Sequence, residues 1–88
     1  MINVYIPSPI RPFTENQSEI QIEGKTIGEV LEKFKIRFPA AAARFFSPRA
    51  ERYLNLYLND NDVRTLEGMD TPVNEGDELA IVFAVAGG

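Results

Sequence analysis

The last two residues of the chain, Gly87 and Gly88, offer the most distinctive chemistry in the sequence. Neither glycine carries a Cβ atom, so both can enter a narrow channel in an extended conformation. The α-carboxylate of Gly88 has an ordinary pKa of about 3.5 and is therefore anionic at neutral pH. Because a carboxylate is a poor electrophile, a partner protein has to activate it, and adenylation by ATP is the standard route. A sulfur nucleophile can then displace AMP and leave a thiocarboxylate on Gly88.

The composition leaves few other groups that could carry out catalysis. The chain has no cysteine and no histidine, which removes a Cys nucleophile, thiolate metal ligands and the commonest general base. Any sulfur on this protein would have to be delivered from outside. We therefore predict a carrier protein with no bound cofactor, not an enzyme, and we expect the activating partner to consume the ATP.

Charge and hydropathy narrow the range of partners. The net charge of −4 argues against nucleic-acid binding, which requires clustered basic residues. No apolar run approaches the length needed to cross a membrane, so the cytoplasm is the expected location. Residues 53–88 hold one Arg and seven Asp or Glu, so this part of the chain is acidic. Residues 1–52 hold eight Lys or Arg and six Asp or Glu, so that part is slightly basic. This distribution predicts that a partner holding the C-terminal end presents a basic surface.

The hydrophobic pattern predicts the elements that position this terminus. Apolar and polar residues alternate over strands predicted at 2–6, 20–22, 54–58 and 78–83, with room for one more short strand at 63–73. A capping box of Thr26 and Glu29 opens an amphipathic helix, and a shorter helix is predicted at 40–46. This order predicts a two-layer α+β domain over residues 1–83, followed by a flexible Gly-Gly tail at 84–88.

Two charged clusters have simpler explanations than a ligand site. Asp60 and Asp62 lie in an Asn-Asp turn that lacks the further oxygen ligands of a metal site, so we interpret this segment as a solvated turn. A run of basic residues could bind an anion or an acidic partner, but we interpret it as the solvated face of the helices. These residues are Lys33, Lys35, Arg37, Arg44, Arg49 and Arg52.

Several stretches together resemble a known protein family. They are Ile6-Pro7 to Arg11-Pro12, Tyr53 to Asp60, Asp62-Val63-Arg64, Gly76-Asp77 and Ala84 to Gly88. On these residues the chain resembles the ubiquitin-like sulfur carriers of the molybdopterin-synthase small subunit and thiamine sulfur-carrier superfamily. The likeness runs along the whole chain and is greatest to the carrier of the actinobacterial thiocarboxylate route to cysteine. One departure is Phe83, which stands where a smaller residue or a proline is expected before the tail.

The resemblance implies a fold, a reaction and a set of partners. The fold would be a two-layer β-grasp, with a mixed four- to five-stranded sheet packed on one main helix. An E1-like adenylyltransferase with sulfurtransferase activity would adenylate Gly88 and convert it to a thiocarboxylate. The acceptor would be a PLP-dependent cysteine synthase, and a JAMM-type metalloprotease would release the new cysteine. Members of the wider family instead serve molybdopterin or thiazole synthesis, with the molybdopterin synthase large subunit as partner.

Pleat alternation predicts a docking surface beside the tail. Tyr57 and Val82 should point away from the core, and with Phe83 they would form an apolar patch suited to a partner. The alternative is an ordinary scatter of exposed apolar side chains. Counting the tail, the predicted partner-binding residues are Tyr57, Val82, Phe83, Ala84, Val85, Ala86 and Gly87.

Three other functions remain open at this stage. The chain could be the small subunit of molybdopterin synthase, or a ubiquitin-like modifier whose Gly88 is conjugated to lysines of other proteins. It could also be a β-grasp interaction domain with an idle tail. In the last case, removal of Gly87 and Gly88 would change no phenotype.

Overall fold

A computed structural model describes residues 1–83, and the Gly-Gly segment 84–88 lies outside the described residues. In chain order the strands and helices are β1 (Ile2–Tyr5), β2 (Glu19–Ile22), α1 (Ile27–Arg37), α2 (Pro39–Phe45), β3 (Leu54–Leu58), β4 (Asn61–Asp62) and β5 (Glu78–Phe83). Neither helix has the length and apolar character that crossing a bilayer requires.

The five strands form one mixed sheet in the order β2-β1-β5-β3-β4. The last strand, β5, lies in the middle, parallel to β1 on one side and antiparallel to β3 on the other. Strands β1 and β2 pair in antiparallel orientation, with Val4 opposite Ile20. The predicted two-layer β-grasp with a mixed sheet is therefore confirmed, at the upper end of the predicted strand number.

A side-chain cap at Thr26 and the proline at position 39 set the two ends of helix α1. The Thr26 hydroxyl accepts a hydrogen bond from the Glu29 amide at 3.1 Å, which satisfies one otherwise unpaired donor of the first turn. The Glu29 carboxylate itself pairs with Lys33 one turn later, at 3.5 Å. At the other end Pro39 follows the C-cap residue Phe38 and starts α2, since proline lacks an amide donor but suits a first helical turn.

The apolar stripe of α1 covers one face of the sheet. Val30 and Phe34 are fully buried against inward-facing strand residues such as Val4 and Leu79. Phe45 and its neighbour Phe46 extend this core from the end of α2. The helices therefore pack on the inner face of the sheet, and within residues 1–83 no helix covers the opposite face.

The segment after β3 differs from the prediction in one detail. Asn59 and Asp60 turn the chain with positive φ angles of 48° and 71°. Asn61 and Asp62, predicted as part of that turn, instead form the edge strand β4 against Tyr57 and Leu58. A strand of two residues has no hydrophobic alternation to detect, so the sequence pattern could not reveal it.

Candidate functional site

Strand β5 determines where the C-terminal segment leaves the domain. Its residues Leu79 and Ile81 are buried on the inner face, and the strand is hydrogen-bonded on both sides. The predicted site residues Ala84, Val85, Ala86, Gly87 and Gly88 follow Phe83 and lie outside the described residues. Their roles therefore stay predictions, while the surface from which they emerge is described.

Phe83 does not belong to the outer patch in which the sequence argument placed it. It lies on the inner face opposite Leu54, partly buried against the core. Its ring packs edge-on against Phe45, with centroids 5.3 Å apart, and lies 6.2 Å from the ring of Tyr53. The physical reason is pleat alternation, because residues 79, 81 and 83 share one face of β5. The predicted grouping of Tyr57, Val82 and Phe83 on one surface is thus wrong.

The ring contact accounts for an aromatic residue at position 83. Phe45 also contacts Phe13, with centroids 5.5 Å apart, so the aromatic cluster joins β5, α2 and the loop after β1. Edge-to-face aromatic pairs add about 0.5–1.5 kcal/mol beyond their buried area. The last described residue is consequently packed against rings from two other segments of the chain, those of Phe45 and Tyr53.

The outer face of the sheet presents a different set of side chains. Tyr57 is half-buried and lies opposite Ala80, as predicted, and Val82 is 42% exposed. On the other side of Ala80 lies Tyr5 of β1, which the sequence argument missed. Alternation alone puts Tyr5 on the outer face, but only the non-local pairing of β1 with β5 brings it beside Ala80. We call Tyr5, Tyr57, Ala80 and Val82 the outer-face patch.

Tyr5 keeps its proton over the ordinary pH range. Its hydroxyl donates a hydrogen bond to the Glu78 carboxylate at 3.3 Å. Loss of hydration, followed by the negative charges of Glu19 and Glu78, raises the pKa of Tyr5 above its ordinary value of 10.0. The outer-face patch therefore presents an uncharged phenol beside the half-buried Tyr57 and Ala80.

The charge distribution differs from the one inferred from the two halves of the sequence. Asp60, Glu75, Asp77 and Glu78 lie at the start of β5, where Asn59 and Met1 contact this turn. The strand then carries the chain about 17 Å away to Phe83, at about 3.3 Å per residue. Four of the seven acidic side chains of residues 53–83 therefore lie at the end of β5 away from Phe83. The described surface thus gives no support to the expectation of a basic partner surface, which stays a prediction.

The carboxylate of Asp62 stabilises the local backbone and does not face a ligand site within residues 1–83. The Asp62 carboxylate accepts a hydrogen bond from the Arg64 amide at 2.9 Å and pairs with the Arg64 guanidinium at 2.7 Å. These bonds hold the pKa of Asp62 below its ordinary value of 3.8, the side-chain bond contributing most. Within residues 1–83 no three His, Cys, Asp or Glu side chains come together in a way that could hold a metal ion.

A depression of about 480 Å³ lies on the helix side of the sheet, between α1 and the start of β3. Leu31, Phe46, Leu54 and Met69 supply most of its apolar lining, and Lys35, Glu32 and Glu51 lie at its margin. Specific small-molecule sites add convergent polar groups to an enclosed apolar cavity. This open depression does not combine the two, so it gives no reason to assign a cofactor to the described residues.

Comparison with known proteins identifies the family. The model of the ThiS family matches residues 4–88, which is nearly the whole chain and includes the Gly-Gly end. The chain belongs to the ThiS family.

Three relatives show how closely the chain follows this family. The sulfur carrier protein CysO of Mycobacterium tuberculosis is 34% identical over 91 residues, covering 99% of this chain and 98% of CysO. The crystal structure of the BexX/CysO complex of Amycolatopsis orientalis matches with a TM-score of 0.86 and 34% identity, over 100% of each chain. Small archaeal modifier protein 1 of Methanosarcina acetivorans matches with a TM-score of 0.84 and 25% identity, over 99% of this chain and 95% of that one.

These likenesses confirm two predictions made from the sequence. The superfamily identified from short stretches is the correct one, and the CysO type is among its matching members. The curated relative CysO is named a sulfur carrier protein, which agrees with the carrier predicted from the sequence. The chain is accordingly a CysO-like carrier of the ThiS family.

Proposed function

We propose that this protein carries sulfur as a thiocarboxylate on Gly88 and donates it to cysteine synthesis in the cytoplasm. An E1-like adenylyltransferase with sulfurtransferase activity loads the carrier. A PLP-dependent cysteine synthase then takes the sulfur, and a JAMM-type metalloprotease releases the amino acid. The carrier itself binds no cofactor, and the activating partner uses ATP.

A single observation carries the proposal. The likeness to CysO extends over 99% of the chain, and the family match includes the Gly-Gly end. A carrier needs a reactive group that it can present inside another protein, and two glycines allow such an entry because they lack side chains. The absence of cysteine and histidine from the sequence leaves the terminal carboxylate as the group suited to this role.

The chemistry requires two displacements, the first at the α-phosphorus of ATP and the second at the carbonyl carbon of Gly88. In the first, a carboxylate oxygen of Gly88 attacks the α-phosphate of ATP, pyrophosphate leaves and an acyl adenylate forms. In the second, hydrosulfide or an equivalent sulfur donor attacks the carbonyl carbon and AMP leaves. The carboxylate has exchanged one oxygen for sulfur, and no oxidation or reduction of carbon has occurred.

Within residues 1–83, the strand pairing of β5 and the packing of Phe83 fix the position from which the C-terminal segment continues. β5 is bonded to a strand on each side, and Phe83 is packed by Phe45 and Tyr53. A partner that docks on the outer-face patch would find Phe83, the last described residue, at a fixed place. We therefore propose Tyr57 and Val82 as docking residues, with Tyr5 added and Phe83 acting through its packing.

The test is the intact mass of the protein after reaction. The chain is incubated with the E1-like adenylating enzyme of its source organism, ATP, Mg²⁺ and sulfide. We expect a mass increase equal to replacing one oxygen by one sulfur, located in the peptide that contains Gly88. The same mixture without ATP is the control. An unchanged mass, with the enzyme active on a known carrier, would refute the proposal.

The match to small archaeal modifier protein 1 favours a second candidate function, attachment of Gly88 to lysines of other proteins. Both functions begin with the same adenylate, so the loading assay does not separate them. Extracts of the source organism expressing an epitope-tagged chain would do so. Heavier tagged species that vanish when Gly88 is deleted would support conjugation, and their absence under conditions that give the thiocarboxylate would exclude it.

A further inference from the structure

The end of the domain from which the tail departs is surrounded by basic side chains. They come from four segments of the chain that are separated in sequence, and four of them lie next to aromatic side chains or directly precede one. The residues are Arg11, Lys35, Arg37, Arg44, Arg49 and Arg52, and we call them the basic collar. Glu15, Glu32 and Glu51 lie on the same segments, so positive charge remains in excess.

Contacts with the aromatic cluster fix the position of the collar. The Arg44 guanidinium lies 5.4 Å from the centre of the Phe13 ring, which itself contacts Phe45. Arg52 directly precedes Tyr53, whose ring contacts Phe83. On the loop after β1, Arg11 donates from Nε to the carbonyl of Ile6 at 3.0 Å.

The helix contributes the remaining part of the collar. Arg37 lies in the last turn of α1 with its guanidinium 5.1 Å from the centre of the Phe38 ring, and Lys35 lies 5.6 Å from that of Phe46. The N-terminus of α1 lies at the other end of the domain, where the Ile27 amide bonds to the carbonyl of Thr71. The helix therefore runs towards the end from which the tail departs.

Within residues 1–83 the collar has no ion-pair partner. The ion pairs formed there are Met1–Glu75, Lys33–Glu29 and Arg64–Asp62, none of which includes a collar residue. Cations near the C-terminus of a helix complement its dipole, which explains Lys35, Arg37 and Arg44. That explanation does not extend to Arg49 and Arg52, which are exposed on a short 3-10 turn. Their positive charge beside the departure point is left without an internal role.

We propose that the partner protein which takes the Gly-Gly segment presents an acidic rim around its entry channel, and that the basic collar binds this rim. The inference rests on the function proposed above and reverses the charge expected from the sequence. Opposite charges of this kind speed and orient encounter, raising association rates by a factor of about 10 to 1,000. With its acidic turn about 17 Å away along β5, the carrier has a dipolar charge distribution that points the tail towards an acidic partner.

The test compares two double variants that change net charge equally. Arg49→Glu/Arg52→Glu removes positive charge from the collar. Lys25→Glu/Lys33→Glu makes the same change on the opposite side, where both lysines lie beside Met1 and Glu75. Association rates with the E1-like adenylating enzyme of the source organism are measured by stopped flow at several salt concentrations. Thermal unfolding of each variant confirms that it is folded.

We expect the collar variant to associate at least about tenfold more slowly at low salt. The lysine variant should stay within about twofold of the parent, and the difference should nearly disappear at about 1 M salt, where the screening length is about 3 Å. Equal rates for both variants, or faster association of the collar variant, would overturn the proposal.

A further measurement distinguishes failure of the acidic-rim inference from failure of the proposed carrier function. ATP–pyrophosphate exchange with the parent chain is measured in the same preparation. If the parent chain is adenylated and the collar variant associates normally, only the acidic-rim inference fails. If the parent chain is not adenylated, the carrier function fails, and the inference that rests on it fails as well.

Discussion

The two ends of β5 are held in place by different kinds of interaction. At the start, the Asn59 side chain accepts a hydrogen bond from the Glu78 amide at 3.0 Å and donates one to Asp77 at 3.1 Å. At the finish, the ring of Phe83 packs against two other rings. The first end is a polar turn at the surface, and the second is an extension of the hydrophobic core.

This difference indicates which end of β5 is suited to contact with a partner protein. The polar turn satisfies its own hydrogen bonds from residues close in space, so it requires nothing from a partner. The aromatic end ties β5 to α2 through Phe45 and leaves the surrounding arginines exposed. Mutations at the two ends should therefore have separable effects on sulfur loading and on stability.

The largest expected effect comes from deleting Gly87 and Gly88. Loading with sulfur should be abolished, because the carboxylate would then belong to Ala86 and fall two residues short. The free energy of unfolding should stay within about 0.5 kcal/mol of the parent, since terminal residues contribute little to a core. Urea denaturation and the mass assay are run on the same samples. Loss of folding in the deleted chain would show that the tail belongs to the core.

At the aromatic end, Phe45→Ala should cost about 3–5 kcal/mol of stability, because it leaves a cavity beneath Phe83. Phe45 is 7% exposed and contacts both Phe13 and Phe83. Phe45→Leu, which keeps most of the volume, is the matched control and should recover most of that loss. A cost below about 1 kcal/mol for the alanine variant would mean that the ring cluster does not anchor the end of β5.

At the polar end, Asn59→Gly should cost about 1 kcal/mol, the typical net value of lost hydrogen bonds. Glycine tolerates the φ angle of 48° at this position, so this variant isolates the side-chain bonds to Asp77 and Glu78. Asn59→Ala should cost more, because a Cβ atom is strained there without the compensating bonds. Equal stability of the alanine and glycine variants would contradict the role assigned to the backbone conformation.

The smallest expected effect concerns Asp62, which lies on the edge strand away from both ends. In the folded chain its carboxyl group should titrate below 3.8, and Arg64→Ala should return the value towards 3.8. Because the folded pKa is depressed, the ion pair stabilises the fold above that pH, and this contribution is lost as the pH falls through the folded value. NMR titration of the carboxyl carbon measures the change. Arg52→Ala should leave it unaltered.

Much of this fold can be predicted from the sequence because the signals are local. Thr26, the α1 stripe and Pro39 determine where the main helix begins, which face it buries and where it stops. The same alternation that places Leu79 and Ile81 inside also places Phe83 inside. Phe83 was wrongly assigned to the surface because it lies beside the tail, although the alternation along β5 places it on the inner face.

The remaining features depend on which strands become neighbours. Tyr5 joins the outer-face patch because β1 pairs with β5 across more than seventy intervening residues. The basic collar forms because segments from both helices and two loops converge at one end, and the net charge of each half of the sequence concealed this convergence. A sum of charges along a chain carries no information about the end of a strand at which each charge lies.

The central position of β5 also determines how the carrier responds to tension. A partner that grips the C-terminal segment and pulls it applies force along the axis of β5. The hydrogen bonds to β1 and β3 lie across that axis, so they bear the load together in shear and do not open one at a time. A strand at the edge of the sheet would share such a load with a single neighbour. The central position of β5 therefore favours resistance to unfolding when force is applied at Phe83 along the strand axis.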